Sequence, residues 1–319
     1  MRTWQTISAL ALLFALTATP RTGSPVQADA ADPANRADHV GKPAATAAES
    51  MVKLWVLAEG RGKKLVLDLT ASDFQLLDEG RPQPVTYFAR RPPEPISLGI
   101  LIETSRSELY EPDPAGWRPY SDLLHKVLRP GDQAFVASFA EKAQLHGDFT
   151  GDLAKLDSAL QDVFAETPEG TPGLYDSIYT LAEERFAGQP GHRALLVVSD
   201  SPDTYSYHNQ LQTLEQIERR DVTVYSLLPW VDRGGQPPFG GIEAAQYFAK
   251  QTGGLFYLAL NPKVLQREID GIAAALTYTY TLGFAPTGPS DGRYHAVRLK
   301  CSRPGVKLHV SQGYYADGR

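Results

Sequence analysis

The sequence contains very little cysteine, which limits what can hold the fold together. Cys301 is the single cysteine among 319 residues, so a disulfide bond within the chain is excluded. It alternates with Val297 and Leu299 in a run typical of a strand, and we predict a small buried side chain there rather than a catalytic thiol. With 42% hydrophobic residues, the chain can bury a core without disulfides or metals.

Clustered positive charge is also missing. The net charge is −6; Arg2 and Arg21 are the only charged residues before Asp29, so from there 29 basic residues face 37 acidic ones, which gives −8. Binding to nucleic acid depends on Lys and Arg side chains grouped to neutralise phosphates. No basic stripe stands out, and the sequence therefore predicts no nucleic-acid partner.

Signatures of common enzymes are scarce as well. The seven histidines include no close-spaced pair of the metal-ligand type, which argues against a zinc site. Ser105 and Ser201 lack the Gly-x-Ser-x-Gly surroundings of a nucleophile elbow, and the glycine pairs resemble neither a P-loop nor a dinucleotide fingerprint. The chain is accordingly predicted not to be an enzyme.

The N-terminus has the pattern of a targeting signal. Arg2 precedes the apolar run from Ile7 to Ala18, and Val26-Gln27-Ala28 offers small residues for cleavage. A short membrane anchor is the alternative, but the run is well below the ~20 apolar residues needed to span a bilayer. We predict a signal peptide over 1–28, a flexible leader over 29–50, no transmembrane segment in the mature chain, and export to the periplasm or the cell exterior.

Next comes a β-type segment over 51–91. Val52, Leu54 and Val56 occupy alternate positions, and Leu65–Leu69 and Phe74–Leu77 are further apolar runs. Asp78-Glu79-Gly80-Arg81 is typical of a turn, after which Val85–Phe88 is predicted to be the returning strand. Pro92, Pro93 and Pro95 then indicate a domain boundary.

From residue 96 to 277 the pattern changes to strands alternating with helices. The predicted strands are Ile96–Ile102, Ala134–Phe139, Arg193–Ser199, Val222–Leu228 and Leu255–Leu258, and the predicted helices are Leu153–Phe164, Leu174–Phe186, Gln210–Arg219, Ile242–Thr252 and Val264–Leu276. Nearly all-apolar strands between helices predict an α/β fold with a doubly wound, mostly parallel sheet.

The final segment, 278–319, returns to a β pattern. Alternation begins at Tyr278, and Tyr294–Cys301 and Val306–Val310 are predicted strands. Neither this segment nor 51–91 has enough strands to be stable alone, so we predict that the two pair into a small β-rich companion.

Three polar clusters follow predicted strands or precede a predicted helix: Glu103–Ser107, Glu169–Pro172 and Asp200–Asp203. Ligands of an open parallel sheet bind beyond the carboxyl ends of its strands. Hydroxyl and carboxylate oxygens suit Mg²⁺, Ca²⁺ or Mn²⁺. Alternate positions would let the side chains of 103, 105 and 107 converge while those of 104 and 106 point away.

The order of these clusters resembles a von Willebrand factor type A domain. Its metal-ion-dependent adhesion site has an Asp-x-Ser-x-Ser motif after the first strand, a loop Thr, and an Asp after a later strand. The matching positions here are Ser105, Ser107, Thr171 and Asp200, with Glu103 in place of the first Asp. The flanking Phe74-x-Leu-Leu-Asp-Glu-Gly and Gly313-Tyr314-Tyr315 resemble an exported bacterial subfamily. The resemblance implies a cation shell completed by an acidic residue of a protein partner.

Glu103 and Arg106 depart from the family pattern. Glu103 is one methylene longer than Asp, which Ca²⁺ tolerates better than Mg²⁺ does. Arg106 could pair with Glu103 or Asp200 and replace the cation. Two interpretations therefore remain open: a protein-binding or adhesion module with a divalent cation at Glu103, Ser105, Ser107, Thr171 and Asp200, or a metal-independent envelope scaffold.

Partner contacts are predicted beside that site, at Arg106, Asp203, Tyr205 and Tyr207, because aromatic and charged groups next to a binding loop anchor interfaces. Rim packing is an equal alternative for the two tyrosines. A hydrolase using Asp200, Glu103 and a metal-activated water is a remote alternative.

Overall fold

The computed structural model describes residues 51–90, 93–105, 115–229 and 239–316. The predicted signal peptide, the leader, Arg106 and Ser107 lie outside these ranges. Within them, no helix is both long and apolar enough to cross a membrane.

Fourteen strands and six α-helices make up the described chain. The strands are β1 Val52–Glu59, β2 Phe74–Asp78, β3 Arg81–Gln83, β4 Tyr87–Arg90, β5 Ile96–Glu103, β6 Gln133–Phe139, β7 Ala143–Thr150, β8 His192–Val198, β9 Val222–Pro229, β10 Phe256–Ala259, β11 Tyr280–Phe284, β12 Tyr294–Cys301, β13 Lys307–His309 and β14 Gly313–Tyr315. The helices are α1 Arg118–Val127, α2 Leu153–Ala165, α3 Leu174–Glu184, α4 Gln210–Arg219, α5 Phe239–Thr252 and α6 Pro262–Thr277.

The central sheet has the order β10-β9-β8-β5-β6-β7, and every pair is parallel except the antiparallel β6–β7. The predicted doubly wound α/β fold is thus confirmed. The structure adds two elements that the pattern did not indicate, α1 and the edge strand β7. The sequence of β7, Ala-Gln-Leu-His-Gly-Asp-Phe-Thr, lacks an apolar run because this edge strand is only partly buried.

β5 is buried on both faces. Leu98, Ile100 and Ile102 belong to one hydrophobic cluster and Leu101 to another, on opposite sides of the sheet. Gly99 allows a close approach, since a Cβ there would lie 2.5 Å from the Phe135 ring. The strand that ends at Glu103 is therefore fixed from both sides, which positions the residues that follow it.

The β-rich companion consists of two four-stranded sheets, β13-β1-β11-β4 and β14-β12-β2-β3. In the first, β1 pairs with β11, and in the second, β2 pairs with β12, so the predicted pairing of the two chain ends is confirmed. A shared apolar core lies between them, and Cys301, half-buried, packs against it.

Two local predictions in this companion were wrong. The Leu65–Leu69 run forms no strand beyond a single bridge at Leu65. The strand that returns after the Glu79-Gly80 turn is β3, while β4 joins the other sheet by pairing with β11. The predicted strand after Tyr278 is present as β11, which is buried on both faces. A tight turn with positive φ at both Glu79 and Gly80 explains the short hairpin, because it reverses the chain within two residues.

Helix α4 packs against the companion strand β14. Here the Tyr294 hydroxyl donates a hydrogen bond to the Glu218 carboxylate at 3.1 Å. Burial raises the pKa of Glu218 to about 7, despite that hydrogen bond. Glu218 therefore binds a proton in the folded chain at a pH where it is ionised in the unfolded one.

We expect this group to make the junction sensitive to pH. Between about pH 4.5 and 7 the folded state binds more protons, so the free energy of unfolding falls as pH rises. Glu218→Gln should remove on the order of 1 kcal/mol of that fall, discounted for partial exposure. Urea denaturation at pH 5 and pH 8 measures it, with the exposed Glu183→Gln on α3 as the control. Parallel pH profiles for the parent chain and Glu218→Gln would contradict the assignment.

Candidate functional site

Glu103 is the last residue of β5, and its side chain is the centre of a buried polar cluster. The residue is 8% exposed and Ser105 is 2% exposed. Ser105 Oγ donates a hydrogen bond to Glu103 Oε1, and Ser199 Oγ donates one to Glu103 Oε2 at 2.6 Å. The parallel register of β5 and β8 aligns Ile102 with Val198, which brings Ser199 beside Glu103. One carboxylate thus accepts hydrogen bonds from hydroxyl groups at two strand ends. We call Glu103, Ser105 and Ser199 the polar cluster.

Thr104 points to a different neighbour. Its N–H donates to the Phe139 carbonyl at 2.8 Å, and its hydroxyl approaches the same oxygen at 3.4 Å. The side chains of Thr104 and Ser105 therefore serve different partners, Thr104 holding the end of β6 and Ser105 facing Glu103.

The loop that contains Thr171 is attached to the same edge by backbone hydrogen bonds. Glu169 N–H donates to the Thr104 carbonyl at 3.2 Å, and Gly173 N–H donates to the Ala140 carbonyl at 2.7 Å. Thr171 itself is exposed. The loop is therefore held against the β5 and β6 ends while its threonine faces outward.

The loop after β8 completes the edge. Ser201 Oγ donates to Asp200 Oδ1 at 3.1 Å, and Thr204 N–H donates to the Pro172 carbonyl at 3.0 Å. The first turn of α5 lies directly on this loop, because a Cβ at Gly241 would be 3.0 Å from the Ser201 carbonyl carbon. All three predicted polar clusters thus meet at one edge, linked through main-chain contacts.

Tyr205 and Tyr207 lie in the segment that continues from this loop. They are 42% and 89% exposed. The nearby charge of Glu141, in the turn between β6 and β7, raises the pKa of Tyr205. Two large aromatic side chains therefore face outward next to the polar cluster. We call the segment 203–208 the tyrosine loop.

Two carboxylates hold the tyrosine loop against α3. Asp203 Oδ1 accepts hydrogen bonds from Tyr175 N–H at 3.1 Å and from Ser206 Oγ at 2.6 Å. Asp176 accepts the N–H groups of Tyr207 and His208 at 2.9 and 2.8 Å.

The His208 ring adds to this anchor. It is stacked on Tyr179 with ring centroids 3.9 Å apart, and its Nδ1 lies 2.6 Å from Asp176 Oδ1. Burial opposes ionisation of Asp176, yet the hydrogen bonds from Tyr207 and His208 outweigh it and lower the pKa of that carboxyl. The loop that presents the tyrosines is therefore fixed before any partner binds.

Of the residues proposed from sequence, the structure brings Glu103 and Ser105 into contact and places the loops of Thr171 and Asp200 at the same edge. Ser199 is a residue of the candidate site that the sequence did not indicate. The one feature of the sequence that could have indicated Ser199 is its position directly after the apolar strand β8 and before Asp200. The residue pattern there predicts only the end of a strand.

The donor set of the polar cluster suits a hard divalent cation. Glu103, Ser105 and Ser199 supply oxygen atoms only, and Asp200 adds a second carboxylate from the neighbouring loop. In the part of the chain that the structure describes, Glu103 forms no ion pair, although burying an unpaired carboxylate costs free energy. Within those residues no group of three or more His, Cys, Asp or Glu side chains is arranged around a metal position. Any cation here therefore depends on hydroxyl ligands.

Comparison with known proteins finds similarity only among solved structures. No family model matches the chain, and no curated protein matches it. The protein BatB from Bacteroides thetaiotaomicron is 17% identical with a TM-score of 0.45, over 57% of this chain and 98% of that one. A von Willebrand factor type A protein from Catenulispora acidiphila is 11% identical with a TM-score of 0.47, over 77% and 75%.

The vWF domain of the pilus tip protein Mfa5 from Porphyromonas gingivalis is 12% identical with a TM-score of 0.46, over 57% and 95% of the two chains. Two of these three structures carry, in their names, the domain that the sequence resembles. Likeness at this level of identity concerns the fold, and what each of these proteins binds is a property of that protein.

Proposed function

We propose that this chain is an exported protein-interaction module, and that the edge formed by the polar cluster and the tyrosine loop is its contact surface. The observation that carries the proposal is the pairing of exposure with rigidity. Tyr207 is 89% exposed, yet its backbone N–H is held by Asp176. A backbone that is held in advance loses less conformational entropy on binding, which favours the aromatic side chain that it presents as an interface anchor.

A divalent cation bound at the polar cluster is the second part of the proposal. Glu103, Ser105, Ser199 and Asp200 would hold it, with Thr171 from the adjoining loop and Ser107 beyond the described residues. When bound, the cation would neutralise the buried Glu103 charge and offer a free coordination position to a carboxylate of the partner. Binding, rather than hydrolysis, fits the neighbours of Glu103, whose hydrogen-bond partners are serine hydroxyls and include no histidine among the described residues.

A capture experiment tests the contact surface. The full chain is immobilised and exposed to a cell-envelope extract of the cells that encode it, and the retained proteins are quantified by mass spectrometry. We expect Tyr207→Ala to reduce retention of the specific partner about tenfold or more, as for an aromatic hot spot. Leu211→Ala is the matched control, because Leu211 is also a large exposed side chain, 68% exposed, but lies outside the tyrosine loop on α4.

Adding a chelator to the wash separates the two parts of the proposal. Loss of the partner in chelator supports the cation, whereas retention in chelator with loss in Tyr207→Ala supports a contact that needs no metal. Equal retention by the parent chain, Tyr207→Ala and Leu211→Ala would contradict the contact surface itself.

A further inference from the structure

A second surface lies beside β10, the edge strand at the opposite end of the central sheet from β7. A cleft of about 780 Å³ opens there between α5 and α6, and the end of β13 forms its far wall. A cleft of this size is within the range of ligand-binding sites in proteins. We call it the β10 cleft.

Strand β10 has an unpaired edge towards this cleft. It pairs with β9 on one side, and among the described residues no strand pairs with its other side. The Leu255 carbonyl accepts the Ser226 N–H at 3.0 Å, so the alternate residues Phe256 and Leu258 direct their backbone groups away from β9. Such an edge can bind an extended chain by main-chain hydrogen bonds.

The charges that line the β10 cleft are strongly unbalanced. Lys63, Lys250 and Lys307 are exposed, and within the described residues none of them forms an ion pair. The two acidic residues of the lining are already engaged. Glu59 contacts His309 Nε2 at 2.8 Å, and Glu268 contacts Arg267.

The charges of Lys63 and Lys307 also affect a common neighbour, His309. Burial lowers the pKa of His309, and the charges of Lys307 and Lys63 lower it further against the pull of Glu59. Lys63, Lys307 and His309 all line the β10 cleft. In a protein of net charge −6, this cleft carries a local excess of unpaired positive charge.

We propose that the β10 cleft binds an extended acidic segment of a partner protein, which adds a strand to β10 and places its carboxylates against Lys63, Lys250 and Lys307. Charge complementarity selects an acidic occupant, and the unpaired edge selects an extended backbone over a helix. This site is separate from the polar cluster and the tyrosine loop, so it does not depend on the function proposed for them.

Fluorescence anisotropy with the full chain tests this site. The probe is a labelled peptide of alternating Glu and Val, and the comparison peptide alternates Lys and Val. We expect only the acidic peptide to bind, and the double variant Lys63→Glu with Lys307→Glu to weaken it about tenfold or more. Lys155→Glu is the control, because that exposed lysine lies on α2, which packs against the opposite edge strand β7. Circular dichroism confirms that each variant is folded.

Two further arms decide how the peptide binds. Proline at alternate positions of the acidic peptide removes the N–H donors of a strand and should abolish binding if β10 gains a neighbour. Anionic lipid vesicles test a membrane as the occupant. The proposal is overturned if the acidic peptide shows no binding at about 1 mM. It also fails if the proline peptide binds equally well, or if vesicles bind with the same dependence on Lys63 and Lys307 while the peptide does not.

Discussion

Glu103→Gln is expected to lower the affinity of the chain for Ca²⁺ or Mg²⁺ by about 100-fold or more. The substitution keeps the volume of the side chain, removes its negative charge and replaces one of its two acceptor oxygens by an NH2 group. Ser105 and Ser199 contribute only neutral hydroxyls, so Asp200 would be the one proposed carboxylate ligand left, and a single negative charge cannot balance a divalent ion. Isothermal titration calorimetry on chelated and dialysed protein measures the affinity.

Glu169→Gln is the matched control, because it makes the same chemical change on the same edge of the sheet at an exposed position. Its affinity for the cation should equal that of the parent chain. If the parent gives neither heat nor a thermal shift with Mg²⁺, Ca²⁺ or Mn²⁺, the cation is excluded from the proposal, and the tyrosine loop remains as the contact surface.

The Glu103→Gln variant also distinguishes a cation from Arg106 as the partner of Glu103. If Arg106 pairs with Glu103, removing the charge from Glu103 leaves an uncompensated buried guanidinium and costs about 3–5 kcal/mol in chelator. If the cation is the only charged partner of Glu103, its buried carboxylate is unpaired in chelator. Glu103→Gln should then be at least as stable as the parent chain. Urea denaturation of both proteins in chelator gives the answer.

The α/β part could be predicted well because its central strands are buried on both faces. β5 and β8 are nearly all apolar, and short apolar runs that alternate with helices are typical of central parallel strands. β7 escaped prediction for the opposite reason. It is an edge strand whose polar side chains are partly exposed, so its residues carry neither an apolar run nor a clean alternation.

The companion shows what local pattern leaves undetermined. β2 and β4 are close in sequence, but β4 pairs with β11, which lies far along the chain. Packing favours the pairing of β4 with β11, since Phe88 of β4 contacts Tyr280 of β11 and Phe74 in the shared core. A prediction from neighbouring residues cannot detect a contact between residues so far apart in the sequence. Ser199 is a similar case, because its role depends on the register between β5 and β8 rather than on its own neighbours.

That register leads to a second prediction with a large expected effect, on stability, at the residue that directly precedes β8. Gly191 has φ +69°, and a Cβ there would lie 1.9 Å from the carbonyl oxygen of Pro95. The same oxygen accepts the His192 N–H at 2.9 Å, which begins the β5–β8 ladder. We expect Gly191→Ala to lower the free energy of unfolding by about 3 kcal/mol or more, combining left-handed strain with displacement of backbone.

Gly188→Ala separates the two causes, because Gly188 lies in the same loop with φ +73° and a Cβ there would meet nothing within 4 Å. It carries the conformational strain alone and should cost about 1 kcal/mol. Urea denaturation compares the two variants. Equal losses would show that the loop yields to the added methyl group. A larger loss in Gly191→Ala would show that contact between Gly191 and Pro95 fixes the start of the ladder, which ends by placing Ser199 against Glu103.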